Sequence, residues 1–187
     1  MYLADGDLVI RNAEFDDAEI LCRWWNDGSI MEHAGFPHGL CTTVEKIKSE
    51  LATDTDGEHR RLILEVGSVP VGEMSYRRKG AASAEMGIKI CDFKQQNRGF
   101  GPRFLTMLIE SLFNKMGYEK IVLDTNLKNT RAQHVYENIG FRKTAVRFNS
   151  WKNQMGELQS SVDYELTKPE YLKLSTSNTS AEYTRER

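Results

Sequence analysis

The segment Gln96-Asn97-Arg98-Gly99-Phe100-Gly101-Pro102 constrains this chain more than any other, because it forces a sharp passage from a strand into a helix. Its glycines let the backbone turn tightly and approach a ligand closely, and a proline in the first helical turn gives up no intrahelical hydrogen bond. Such a junction aims several open N–H groups one way, with the positive end of the helix dipole behind them. That suits an anion such as a pyrophosphate. Arg98 and Arg103 add positive charge at the rim. On these residues alone, a plain turn is the competing reading. Two familiar phosphate loops are absent. The dinucleotide fingerprint wants a third glycine where Phe104 stands, and the P-loop needs Gly-Lys-Ser/Thr after its glycines.

The elements around this loop follow from hydrophobic period. Leu8-Val9-Ile10 reads as a short strand, and the acidic run from Glu14 to Asp17 marks the start of a helix whose Ile20, Leu21, Trp24 and Trp25 share a face. A loop from His33 to Leu40 and a second, more polar helix from Thr43 follow. Leu62–Val66 and Val71–Tyr76 form a hairpin across Gly67–Pro70, Glu85–Ile90 is a third strand of this run, and Asp54–Glu58 is a loop. A strong helix is expected from Pro102 to about Met116, with Phe104, Leu105, Leu108, Ile109 and Leu112 on one face. Ile121–Leu123 is a strand and Thr130–Ile139 a helix, with Gly140 placed for a left-handed stop. Strands around Arg142–Phe148 and Ser161–Leu166 complete the order β-α-α-β-β-β-α-β-α-β-β. This is an α/β (α+β) mixed sheet with helices, in one domain over residues 1–172. The tail 173–187, Ser-, Thr- and charge-rich from Ser175, is expected to be disordered.

Composition narrows the function. At 187 residues and 40% hydrophobic, the chain can bury a core without metal or disulfide staples. A formal net charge of −2 offers no global field for a nucleic-acid backbone. Cys22, Cys41 and Cys91 have no metal-ligand or redox spacing and are expected to be reduced thiols. His33 and His38 share a loop without a third ligand, so no metal is expected. No apolar run approaches the roughly 20 residues of a membrane span, and Asp5 and Asp7 oppose a signal peptide. A cytoplasmic protein that binds neither nucleic acid nor membrane is the expectation; a homodimer is compatible with it.

Gln96-x-x-Gly99-x-Gly101 resembles the Gln/Arg-x-x-Gly-x-Gly/Ala coenzyme-A pyrophosphate loop of the GNAT (GCN5-related) N-acetyltransferases. Further on, Asn129-Thr-Arg-Ala132-Gln-His-Val-Tyr136-Glu-Asn-Ile-Gly140-Phe141 resembles that family's second motif, Asn-x-x-Ala-x-x-x-Tyr-Glu-x-x-Gly-Phe. The resemblance extends over about Asp7 to Lys168, and its helix pair after the first strand looks like the branch that includes ribosomal-protein-alanine N-acetyltransferases. It implies the acyl-CoA N-acyltransferase fold, with a mixed central sheet, flanking helices and one splayed strand pair. Acetyl-CoA would then be the co-substrate and an amine the acceptor. Backbone groups of Ile88 to Ile90 would pair with the pantetheine arm. The segment from Arg98 to Arg103 (Arg98, Gly99, Phe100, Gly101, Pro102, Arg103), with Gln96, would hold the pyrophosphate, and Asn129 would lie near the thioester.

Direct acetyl transfer needs a neutral amine, a polarised carbonyl and a proton for the departing thiolate. The resemblance assigns the last role to Tyr136. A phenol near 10 facing a thiol near 8.5 is uphill by about 2 kcal/mol on its own, so donation must be coupled to proton loss from the amine. For the base, Glu85 and Glu73 are the candidates, each with a solvated carboxylate as the alternative. One of Trp24 and Trp25 is expected in the core and the other beside the acceptor, and Arg77-Arg78-Lys79 is read as a solvated turn. A non-catalytic acyl-CoA sensor is the alternative function.

Overall fold

The computed structural model describes residues 1–174, and the tail from Ser175 to Arg187 lies outside them. Eight strands make one sheet: β1 Tyr2–Asp5, β2 Leu8–Asn12, β3 His59–Val66, β4 Val69–Arg78, β5 Ser83–Ile90, β6 Lys120–Asn126, β7 Arg142–Lys152 and β8 Leu158–Thr167. Their spatial order is β1-β2-β3-β4-β5-β6-β8-β7. Every neighbouring pair is antiparallel except β5 and β6. The helices that frame the sheet are α1 Ala18–Asn26, α2 Gly28–Met31, α3 Val44–Leu51, α4 Phe100–Glu110 and α5 Thr130–Ile139, and residues 168–174 are helical as well.

The sheet separates two apolar layers because side chains alternate across it. Leu62, Leu64, Met74, Tyr76 and Met86 point toward α4 and α5 and form the larger core with Phe104, Leu105, Leu108 and Ile109. Each of the four α4 residues is almost fully buried, a gain of about 1.5–3 kcal/mol apiece. The opposite face carries Ile63 against Leu21, Trp25, Ile47 and Leu51 of α1 and α3.

Several boundaries differ from expectation. The strand at Tyr2–Asp5 has a single buried residue, Leu3, and so no periodic signal. α4 begins at Phe100, not Pro102, since Gly99 at φ +79° is already the cap. After Glu110 it loosens into a π-turn over Ser111–Lys115. β7 runs beyond Phe148 to Lys152, mostly exposed and with a register irregularity between Arg147 and Trp151, which erases the alternation that would have marked it. Gly140 does adopt the left-handed stop, at φ +109°.

Candidate acetyl-transfer cleft

The cleft originates in one pairing. β5 and β6 run parallel over Ser83↔Lys120, Ala84↔Ile121 and Glu85↔Val122, and then separate. Beyond that point, Gly87 to Ile90 and Asp124 to Asn126 border a cavity of about 920 Å³. Among the described residues, the edge of β5 facing it has no strand partner. Extended backbone with open N–H and C=O groups is what an amide-bearing arm needs in order to pair like an added strand. The Ile90 carbonyl already accepts from Gln96 Nε2 at 2.9 Å. Alternation then turns the Ile88 N–H and C=O toward the cleft as well.

Gln96 fixes the loop rather than standing free. Besides Ile90 it holds Arg131 of α5, whose Nη1 donates to Gln96 Oε1 at 2.9 Å. Asn97 and Gly99 take left-handed φ values of 59° and 79°. Among the described residues, the N–H groups of Asn97, Arg98 and Gly99 donate to no backbone carbonyl. In the first turn of α4, Phe100 and Gly101 extend this open set, whereas Pro102 has no N–H to give. Gly101, Lys128 and Arg131 border the cavity at this end. Open amides, a helix N-terminus and two nearby cations fit a diphosphate. Arg98 is engaged with Gln95 Oε1 at 2.7 Å and lies over the Phe100 ring. Arg103 is turned away: its Nη2 pairs with Asp5 Oδ2 at 2.7 Å, on a separate pocket that Pro102 also lines. The rim role expected of Arg103 therefore does not match its position, because the helix sets it opposite Gly101.

Tyr136 lines the cavity from α5 and is packed edge-on between Phe141 and Tyr164. Its hydroxyl makes no hydrogen bond with a described residue, yet it is not sealed off. Burial, with a smaller contribution from the Asp124 charge, pushes its pKa up to about 12. Asn129 caps α5, its Oδ1 accepting from the Ala132 N–H at 3.1 Å, and also lines the cavity.

The two carboxylates expected as bases fare differently. Glu85 lies in the paired stretch of β5 and does not line the cavity. Burial acts to raise its pKa, but Arg77 and Lys79, at 2.6 and 2.7 Å, outweigh this and hold it below the ordinary range. The basic turn is thus a clamp on Glu85, not a free solvated run. Glu73 does line the cavity and is buried. Trp25 Nε1 donates to its Oε1 at 2.8 Å, Arg61 pairs with Oε2 at 2.6 Å and Lys89 with Oε1 at 3.3 Å. Burial would raise its pKa, but Arg61 and Lys89 with the Trp25 bond leave it lowered. Such a carboxylate organises charge and is a poor proton acceptor.

A third carboxylate, Asp124 on β6, opens onto the cavity. Among the described residues it has no close side-chain hydrogen bond, and its ion pair is with Arg147 Nη2 at 3.9 Å, which itself pairs with Asp163 at 2.6 Å. Burial raises its pKa; Arg147 opposes, and Asp163 and Glu85 add to the rise. Sequence reasoning passed it over because nothing in Leu123-Asp-Thr-Asn126 tells where β6 leaves its partner. The aromatic wall was also misplaced. Trp25 is core, Trp24 packs beside it, and it is Trp151 from the β7–β8 hairpin that faces the cavity. This hairpin clasps the loop after α2. The Gln154 N–H donates to the Gly35 carbonyl, its Nε2 to the Gly39 carbonyl, and the His38 N–H to its Oε1, at 2.8, 3.0 and 2.9 Å. A side chain on Gly35 would meet the Trp151 ring at 2.3 Å. Among the described residues no group of side chains forms a metal site, and no helix is long and apolar enough to cross a membrane. Cys91 is buried, which raises its thiol, with Glu73 adding to the rise.

The acetyltransferase (GNAT) domain matches residues 7–142. Among solved structures, a spermidine N-acetyltransferase from Vibrio cholerae in complex with CoA and spermine superposes with a TM-score of 0.79 at 20% identity, over 90% of this chain and 99% of that one. A GNAT-family acetyltransferase from Bacillus anthracis gives 0.76 at 22% identity, over 91% and 100%. Another from Streptococcus pneumoniae gives 0.72 at 18% identity, over 86% and 99%.

Proposed function

The chain belongs to the GNAT acetyltransferase family, and from that premise we propose a direct transfer of acetyl from acetyl-CoA to a primary amine within the β5–β6 cleft. As an acetyl-CoA-dependent acetyltransferase it takes the thioester as its activated acyl donor. The open edge of β5 at Ile88 and Ile90 holds the pantetheine arm, and the amides from Arg98 to Gly101, with Arg131 and Lys128, hold the pyrophosphate.

Tyr136 stands ready to donate a hydrogen bond to the leaving sulfur. With its pKa near 12 and a thiol near 8.5, complete proton transfer in isolation would cost about 5 kcal/mol. Tyr136 therefore donates in step with loss of the proton from the attacking nitrogen. Asp124 takes that proton, directly or through one water, because it is the cleft carboxylate not neutralised at close range. The observation that carries this reading is the Tyr136 hydroxyl, unpartnered on a cavity that begins where β5 and β6 part. A thiol-release assay over an amine panel tests it. Turnover with at least one amine, strongly reduced in Tyr136→Phe, is expected; full activity in that variant would remove Tyr136 from the mechanism.

A further inference from the structure

Lys89 is left with more positive charge than its surroundings use. Glu73 is already satisfied by Trp25 and Arg61 at 2.8 and 2.6 Å, and the Arg61 guanidinium is held over the Trp25 ring at 4.3 Å. The Lys89 ammonium meets that carboxylate only at 3.3 Å, and its other neighbour is the Met31 sulfur at 3.2 Å, a weak acceptor. Two cations against one carboxylate leave a surplus of one positive charge, and the Lys89 side chain is 29% exposed on the cavity. The surplus does not serve the coenzyme phosphates. Lys89 points to the face of the sheet that carries α1 and α2, opposite Ile88, Ile90 and the start of α4.

Across the cavity the balance reverses. Asp124 and Asp163 sit opposite each other on β6 and β8 and share Arg147, which leaves one negative charge uncompensated. A positive wall on β3–β5 thus faces a negative one on β6–β8. An acceptor bearing only amines would satisfy Asp124 but repel Lys89. We propose that the acceptor is an amine that also carries a carboxylate, with its nitrogen directed to Asp124 and Tyr136 and its carboxylate bound by Lys89. A single surplus charge matches a carboxylate better than a doubly charged phosphate. The inference rests on the acetyl-transfer reading above and names its substrate class.

The test ranks acceptors by kcat/KM in a thiol-release assay. One series is the ω-amino acids from glycine to 6-aminohexanoate, another the alkylamines of the same lengths, with spermidine as the polycation. The expected result is that one amino acid exceeds its matched alkylamine and spermidine by about tenfold or more, the scale of a hydrogen bond to a charged group. Lys89→Met should collapse that ratio and Lys89→Arg restore most of it. The ranking on the unaltered protein is decisive even if a variant folds poorly. Preference for spermidine or alkylamines, or a ratio untouched by Lys89→Met, overturns the carboxylate inference and leaves acetyl transfer standing. No turnover with any amine overturns both.

Discussion

The role proposed for Tyr136 rests on what surrounds the phenol. Two aromatic rings fix its orientation, burial keeps it protonated, and among the described residues no group competes for its hydroxyl. Tyr136→Phe should lower kcat by about 100-fold or more, the usual scale for a lost general acid, with little change in acetyl-CoA dissociation constant. With a pKa near 12, Tyr136 should put no alkaline limb on the rate below about pH 10. Asp124→Asn should cut kcat/KM most at neutral pH, and the defect should shrink as the pH nears the amine's own value of about 10.4, where the nucleophile frees itself. A defect constant across the profile would mean that Asp124 positions the amine rather than deprotonating it. Tyr136 was singled out by the resemblance of Asn129–Phe141 to the family's second motif, since helix period alone reads it as a packed residue on the apolar face. Asp124 was not, because its exposure depends on where two strands part, and the confinement of Glu85 between Arg77 and Lys79 depends on the register of β4 against β5.

The decisive element is the turn into α4. Gly99 supplies the left-handed residue that lets Phe100 start the helix, and the proposed phosphate grip depends on the amides of that first turn. An added Cβ meets nothing within 4 Å, so Gly99→Ala carries only the backbone cost of about 1–2 kcal/mol. For a chain of this size the melting temperature should drop by about 2–8 °C. Acetyl-CoA affinity should fall as well, because relief of that strain swings the amides aside; unchanged affinity would locate the phosphate grip elsewhere. The passage through Gly99 and Gly101 into a helix was readable in advance, whereas the aromatic side of the cavity was not. Trp151 reaches the cavity through a hairpin whose exposed, irregular strand carries no period, and it is seated against Gly35, far away in sequence, where the neighbouring Gln154 N–H holds the Gly35 carbonyl.

Across the whole molecule, buried and partly buried ion pairs tie α1 to the sheet. Arg11 on β2 grips Asp17 with both terminal nitrogens, at 2.6 and 2.8 Å, just before α1, and Glu73 joins β4 to α1 and β5 through Trp25 and Lys89. For Asp17, as for Glu73, burial alone would raise the pKa, but the bonded partners leave it lowered in the folded state. A depressed folded value means stability present above the unfolded values of about 3.9–4.3 and lost as the pH falls through the folded ones. The melting temperature should hold above about pH 5 and decline below pH 4, and Glu73→Gln, which leaves two cations uncompensated, should cost about 3 kcal/mol at neutral pH while flattening the acid decline. The mixed sheet and its helices were legible because most elements have one apolar face. The charge arrangement was not, since partners such as Glu73, Arg61 and Lys89 meet only after three strands align. Most directly, the position of the coenzyme sulfur in a crystal of the protein with coenzyme A tests the site. It should lie between β5 and β6 within hydrogen-bonding reach of the Tyr136 hydroxyl; a sulfur outside that gap, remote from Tyr136, would contradict the assignment.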